Sequence, residues 1–236
     1  MTMKYVFILL CSLGANLTIS QSANGYYNQG IDNINASDFK NAIVNFTKAI
    51  DLNPEMADAY YNRGFSKDKM EDYRGAMLDY NKAIELDPVN TDPLVNRGIV
   101  KSKMSDHQGA ISDYNKALII NNTNSEAYYN RGIAKAKLND LRGAVQDYDK
   151  AISINSKDLR FYLNRGVANA ELEDYTAAVE DYSNVIEIKP SDSDAYYNRG
   201  LANYNAGNVD DACLDWSKAG ELGEFDAYDL IKKYCK

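Results

Sequence analysis

A five-residue string returns along this chain at a fixed interval, and that interval decides what the chain can fold into. Tyr60-Tyr61-Asn62-Arg63-Gly64 recurs as Tyr128-Tyr129-Asn130-Arg131-Gly132 and Tyr196-Tyr197-Asn198-Arg199-Gly200. Variants stand between: Tyr26-Tyr27-Asn28-Gln29-Gly30, Leu94-Val95-Asn96-Arg97-Gly98 and Tyr162-Leu163-Asn164-Arg165-Gly166. The glycines are 34 residues apart every time, with no insertion. A strict period of this length marks a stacked array, in which one unit cannot bury its apolar face alone and neighbours complete the core. The units are 23–56, 57–90, 91–124, 125–158, 159–192 and 193–226. Places are numbered from the first residue of each.

Each unit reads as two helices. Place 8 is always Gly and place 20 always Ala. Place 24 is always aromatic (Phe46, Tyr80, Tyr114, Tyr148, Tyr182, Trp216) and place 27 is small (Ala49, Ala83, Ala117, Ala151, Val185, Ala219). Places 20, 24 and 27 share one helical face. Small residues there and at place 8 let two helices approach, and large rings at places 4 and 24 fill the gaps. Place 16 is Asp in five units (Asn208 in the last), an N-cap for the second helix. The first helix is expected to end near place 14 or 15 and the second to start near place 17.

Pro54, Pro88 and Pro190 stand at place 32, between units, and this pattern of aromatic, Gly, Ala, aromatic, Ala and Pro across 34 residues resembles the tetratricopeptide repeat family. The resemblance covers units one to six. It implies an all-α, right-handed superhelix of helix-turn-helix units whose first helices line a concave groove. Place 11, usually Tyr in the family, is here Asn33, Lys67, Lys101, Lys135, Asn169 and Asn203. Residues 227–236 read as an amphipathic helix capping the last open face.

The amino terminus reads differently. Lys4 precedes an apolar run, Tyr5 to Leu10, followed by small and polar residues. These are the parts of a secretory signal peptide over residues 1–20, with cleavage after Ser20 or Ser22. The run is too short to span a bilayer, so no stable membrane span is expected after cleavage. Together with the repeat, it points to an exported protein, periplasmic or secreted and of bacterial type. Acidic residues exceed basic ones, 34 to 26. That balance argues against nucleic acid as the partner.

Arg63, Arg97, Arg131, Arg165 and Arg199 form a row at place 7, which suggests an anion-binding ladder. However, place 23 carries Asp79, Asp113, Asp147, Asp181 and Asp215 in the same five units. In the first unit both charges are missing together, as Gln29 and Asn45. That co-variation points to structural ion pairs between the two helices of a unit, because an unpaired charge near a helix interface is costly.

The chain has 19 Tyr against 6 Phe and 1 Trp. Places 4 and 24 absorb many of them as core rings. Place 5 adds Tyr27, Tyr61, Tyr129 and Tyr197, beside an unbroken Asn row at place 6: Asn28, Asn62, Asn96, Asn130, Asn164 and Asn198. On the first helices these form a Tyr–Asn ladder offering flat apolar area and amides for a ligand backbone. The competing reading is that they only stabilise the stack. A carboxylate-gripping groove of the kind some family members have is not expected. Place 2 is mostly acidic and only Arg160 fits.

Catalysis has little support. The single His107 replaces packing residues at place 17, and no metal cluster, phosphate loop or Ser–His–acid set is present. Neither cofactor nor metal is expected. The function implied is a non-catalytic scaffold binding a peptide or protein segment in the groove. The alternative is an envelope glycan or peptidoglycan binder that uses the tyrosines as stacking platforms.

Cys213 and Cys235 remain after signal removal. Cys213 lies in the last second helix and Cys235 near the end of the cap that must pack on it. A disulfide between them suits an oxidising compartment. The alternative is two small buried thiols.

Overall fold

The computed structural model describes residues 22–235. The expected signal segment, residues 1–20, lies outside the described residues. Thirteen helices and no strand occur among the described residues. They run in pairs, one pair per unit: α1 (Ala23–Asn35) with α2 (Phe39–Leu52), α3 (Ala57–Lys69) with α4 (Tyr73–Leu86), and α5 (Asp92–Lys103) with α6 (His107–Ile120). The next pairs are α7 (Ser125–Lys137) with α8 (Leu141–Ile154), α9 (Leu159–Glu171) with α10 (Tyr175–Ile188), and α11 (Ser193–Asn205) with α12 (Val209–Glu221). α13 (Asp226–Tyr234) closes the stack, one residue earlier than the sequence reading placed it. Each helix packs on the next, and successive first helices also touch, as α3 does α5. This is the solenoid expected from the period.

The invariant Gly at place 8 has a steric cause. A Cβ on Gly98 would stand 2.6 Å from Tyr114 Cε1, and one on Gly30 would stand 2.5 Å from Phe46 Cε1. The aromatic ring at place 24 lies directly on the backbone of the first helix. Its residues are almost wholly buried, from Phe46 at 0% to Tyr182 at 2% exposure.

The first helices end at place 13, slightly short of the expected boundary. Place 15 takes the left-handed conformation in every unit: Ser37, Glu71, Ser105, Asn139 and Glu173 have φ between 58° and 66°, and Gly207 has φ 90°. The amide of place 16 then donates back to the carbonyl of place 11, as Asp38 does to Asn33 at 2.8 Å. This is a Schellman closure. The same place-16 Asp caps the following helix, with Asp106 Oδ1 accepting from the Gly109 amide at 2.9 Å. One residue thus satisfies the end of one helix and the start of the next. Asn208, at this place in the last unit, makes no side-chain cap. Asp210 and Asp211 in the first turn of α12 complement the helix dipole there.

At place 24 the Tyr80 hydroxyl stays inside the helix pair. It is buried without a hydrogen-bond partner, as is Trp216 Nε1. Burial, with Asp68 and Asp79 nearby, holds the Tyr80 phenol far above its ordinary titration range. The first unit uses Phe46 at the same place. Tyr80→Phe is therefore expected to raise unfolding free energy by about 1 kcal/mol, since it removes a desolvated, unpaired hydroxyl and keeps the ring. Urea melts would register this as a higher midpoint at unchanged slope. A loss of stability would mean that the hydroxyl has a water partner.

Candidate functional site: the concave groove

Two networks share the first helices, and they face different ways. The place-7 arginines point between helices. Arg97 donates to both carboxylate oxygens of Asp113, Nε to Oδ2 at 2.8 Å and Nη2 to Oδ1 at 2.6 Å. Arg63–Asp79, Arg131–Asp147 and Arg199–Asp215 repeat this fork, and Arg165 grips Asp181. The Asp side chains are buried, Asp113 at 1% exposure. These arginines are thus part of the stack rather than an anion ladder.

Two features of this network escaped the sequence reading. Each Arg extends Nη1 to place 25 of the preceding unit: Arg63 to Thr47, Arg97 to Asn81, Arg131 to Asn115, Arg165 to Asp149 and Arg199 to Ser183. One guanidinium therefore ties three helices and two units. Place 11 is the third corner. Lys67, Lys101 and Lys135 bond the same carboxylates at 2.7–2.8 Å. Asn169 and Asn203 donate to Asp181 and Asp215 instead. In the first unit Asn45 donates to Asn33 at 2.7 Å, so the triad is neutral throughout. The Lys-or-Asn choice at place 11, a departure from the family pattern, was the visible signal.

The carboxylates of the third and fifth units differ in their electrostatics. Burial pushes the Asp113 carboxyl up, but hydrogen bonds from Arg97 and Lys101 outweigh it and hold the group below its ordinary range. At Asp181, burial prevails over the bonds from Arg165 and Asn169, and the carboxyl titrates above its ordinary range. A depressed carboxyl stabilises the fold above its unfolded pKa and loses that as pH falls through the folded value. A raised one has the opposite sign, and its charged form disfavours the fold at neutral pH. Asn169→Lys is expected to copy the Asp113 arrangement. It should raise stability at pH 7 by about 1 kcal/mol, with the gain vanishing as Asp181 is protonated in acid. Thermal melts at pH 7 and pH 3 test this. Equal gains at both pH values would refute the electrostatic origin.

The other network faces the groove. Asn62 Nδ2 donates to the Tyr27 hydroxyl at 3.2 Å, Asn96 to that of Tyr61 at 2.9 Å, and Asn164 to that of Tyr129 at 3.1 Å. The ladder therefore runs from unit to unit, and these three amides serve the stack. Asn130 and Asn198 stand opposite Val95 and Leu163, which carry no hydroxyl, and they bond only the carbonyls of Glu126 and Asp194. Asn28 is exposed at the start of the row, and Tyr197 is half-buried at its end. The Tyr129 ring is covered by Arg160, whose Cζ lies 5.0 Å from its centroid, and by Phe161. Arg160 is itself held by Asp158 and Glu126. Neither remains as an open stacking or anion-gripping group.

Between these rows runs an apolar stripe at place 9: Ile31, Phe65, Ile99, Ile133, Val167 and Leu201. Val167 is 44% exposed and the others are half-buried. Pockets open along the stripe where first helices meet. One of about 170 Å³ has Ile133 and Val167 as walls, Lys137 and Glu171 at the mouth and Tyr148 among its lining. Another, of about 280 Å³, lies between Val167 and Leu201 and holds Asn198 and Glu171. A third, of about 320 Å³, is lined by Val95, Ile99, Asp92 and Asn130. His107 takes no part; its Nδ1 lies 3.1 Å from Ser102 Oγ at the inter-helix turn. Among the described residues no group of His, Cys, Asp or Glu is placed to hold a metal, and no helix is long and apolar enough to cross a membrane.

At the far end, Cys213 and Cys235 are joined, with Cα atoms 5.8 Å apart. The bridge ties α13 to α12. Tyr234 of α13 packs on Tyr204 at a centroid distance of 4.5 Å and on Trp216 at 6.1 Å.

Comparison with known proteins agrees with this architecture. The tetratricopeptide repeat profile matches residues 57–90 and 125–158, the second and fourth units, and a further TPR repeat profile matches 170–207. No curated protein matches the chain. Among solved structures, MamA is 29% identical with a TM-score of 0.65, covering 70% of this chain and 96% of its own. YrrB, described as a TPR protein with an unusual peptide-binding site, is 26% identical with a TM-score of 0.69, covering 79% of this chain and 97% of its own. PilF of Pseudomonas aeruginosa shares the fold at a TM-score of 0.76 and 16% identity, covering 89% of this chain and 97% of its own. With its 34-residue register, its paired helices and these matches, the chain belongs to the tetratricopeptide repeat family.

Proposed function

We propose that this protein is a non-catalytic scaffold that holds a peptide or protein segment along its concave groove, outside the cytoplasm, in a cell envelope or secreted. The unbroken apolar stripe from Ile31 to Leu201 carries this reading. It is flanked by polar groups that the stack does not use, the amides of Asn130 and Asn198. Apolar contact area with a few convergent polar groups is what peptide recognition requires. YrrB, with its peptide-binding site, supports the same use of the fold. Export is supported by the bonded cysteines, since such bonds persist in oxidising compartments. The charged, apolar and small-residue segments of residues 1–20 support it too.

Ser22 caps α1 by accepting from the Gly25 amide at 3.1 Å. Cleavage after Ser20 preserves that cap and cleavage after Ser22 removes it, so the exported chain is expected to begin at Gln21. A photo-crosslinking residue at Ile133 should capture a protein partner in intact cells, while one at exposed Val89 should not. Equal capture from both places would refute the groove reading. Intact mass of the chain recovered from the extracytoplasmic fraction reads the new terminus, and an uncleaved chain in the cytoplasm would refute export.

A further inference from the structure

The Tyr–Asn ladder is broken at two places: Val95 and Asn130 of the first break both line a pocket of the groove, and of the second break only Asn198 does. The first is the better defined. Where the second and fourth units present Tyr61 and Tyr129, the third presents Val95, and the missing ring leaves the space of about 320 Å³ between the second and fourth units. Its apolar floor is Val95, 7% exposed, with Ile99 beside it. The Asn130 amide, which the absent Tyr hydroxyl would have engaged, keeps one N–H and its Oδ1 without a partner among the described residues. The Asp92 carboxylate at the mouth makes no hydrogen bond or ion pair among the described residues. One oxygen of the Glu126 carboxylate is held by Arg160, and the other has no partner among the described residues. The Tyr61 ring forms a further wall.

We propose that this pocket receives a basic side chain, lysine or arginine, from the segment that lies in the groove. The proposal rests on the groove reading above and adds the chemistry of the occupant. The aliphatic stem of such a side chain fits over Val95 and Ile99, which leaves the charged head at the carboxylates. Asp92 and Asn130 Oδ1 accept from it, and the Tyr61 face attracts a cation. The pocket holds two carboxylates against one guanidinium, so a cation completes its charge and a carboxylate is repelled. The lysines at place 13 of the second and third units, Lys69 and Lys103, do not supply that cation. Lys103 is bound to Asp68, and Lys69 lies on the Phe65 ring. The net charge of −8 adds a long-range preference of the same sign.

The test uses the full chain and three dye-labelled, end-blocked octapeptides in which Leu alternates with Arg, Glu or norleucine. The Arg peptide should bind at least tenfold more tightly than the other two. Val95→Tyr and Asp92→Asn should each weaken it about tenfold. Val95→Tyr leaves the charge unchanged, fills the pocket and gives Asn130 its ladder partner, so it should also raise the unfolding midpoint. Lost binding in a more stable protein cannot come from misfolding. No binding of the Arg peptide at millimolar concentration, equal binding of all three peptides, or an Arg affinity untouched by both variants would overturn the proposal. An affinity untouched by both yet abolished by Ile133→Glu would overturn the pocket and leave the groove reading standing.

Discussion

Asp113→Asn should cost about 3 kcal/mol of unfolding free energy, a large effect for a change of one atom. The carboxylate is 1% exposed and receives Arg97 through two nitrogens and Lys101 through a third, at 2.6–2.8 Å. Neutralising it strands two cations among helices with no room for full hydration. The loss is that of an uncompensated buried charge rather than of a favourable pair, since buried pairs are themselves near break-even. The chain contains its own control. The first unit replaces Arg, Lys and Asp by Gln29, Asn33 and Asn45, and Asn33 and Asn45 bond each other. Transplanting that set, Arg97→Gln with Lys101→Asn and Asp113→Asn, should recover most of the loss. The remaining deficit would come from the lost Arg97 bond to Asn81 of the preceding unit. Urea unfolding of the single and triple variants decides it. A triple variant no better than Asp113→Asn would show that the single variant's cost does not arise from stranded charge.

Reducing the Cys213–Cys235 bond should release about 3 kcal/mol of local stability, confined to the end of the stack. The bond closes a loop of 22 residues, and the chain-entropy treatment assigns such a loop about that amount. The effect stays local because α13 touches only the last unit, and a 9-residue helix is too short to persist on its own. What then holds it is the packing of Ala227 on α12 and of Tyr234 on Tyr204 and Trp216. Amide exchange in residues 226–234 should accelerate about a hundredfold on reduction, with α5 to α8 unchanged. Unchanged exchange in α13 would mean that packing alone secures the cap. Acceleration across all units would mean that the stack unfolds as one body.

Much of this architecture was legible because a repeat displays each structural requirement six times. Gly at place 8 against a ring at place 24 is one example, since the contact of Gly98 with Tyr114 recurs in every unit. The Arg97–Asp113 type of pair was readable for the same reason, because both charges are absent together in the first unit. The ladder was read only halfway. Tyr and Asn at places 5 and 6 were visible as rows, but their bonds cross from one unit to the next, and a within-unit pattern does not say which neighbour an amide meets.

The sequence by itself determined the period, the helix pairing, the residues that must be small and the pairing of charges inside a unit. Each of these is a local or one-unit constraint that repetition makes conspicuous. The tertiary structure alone decided what happens between units: the reach of Arg97 to Asn81, the commitment of Asn62, Asn96 and Asn164 to the stack, and the opening left at Val95. It also decided the left-handed turn at place 15, which Ser37 and Glu71 adopt without being glycine, and the sealing of the Tyr80 hydroxyl. The physical reason is that stacking fixes the rotation of one helix pair on the next. Hydrogen bonds across that interface depend on ångström-scale offsets, to which hydrophobic burial, and therefore residue pattern, is largely indifferent.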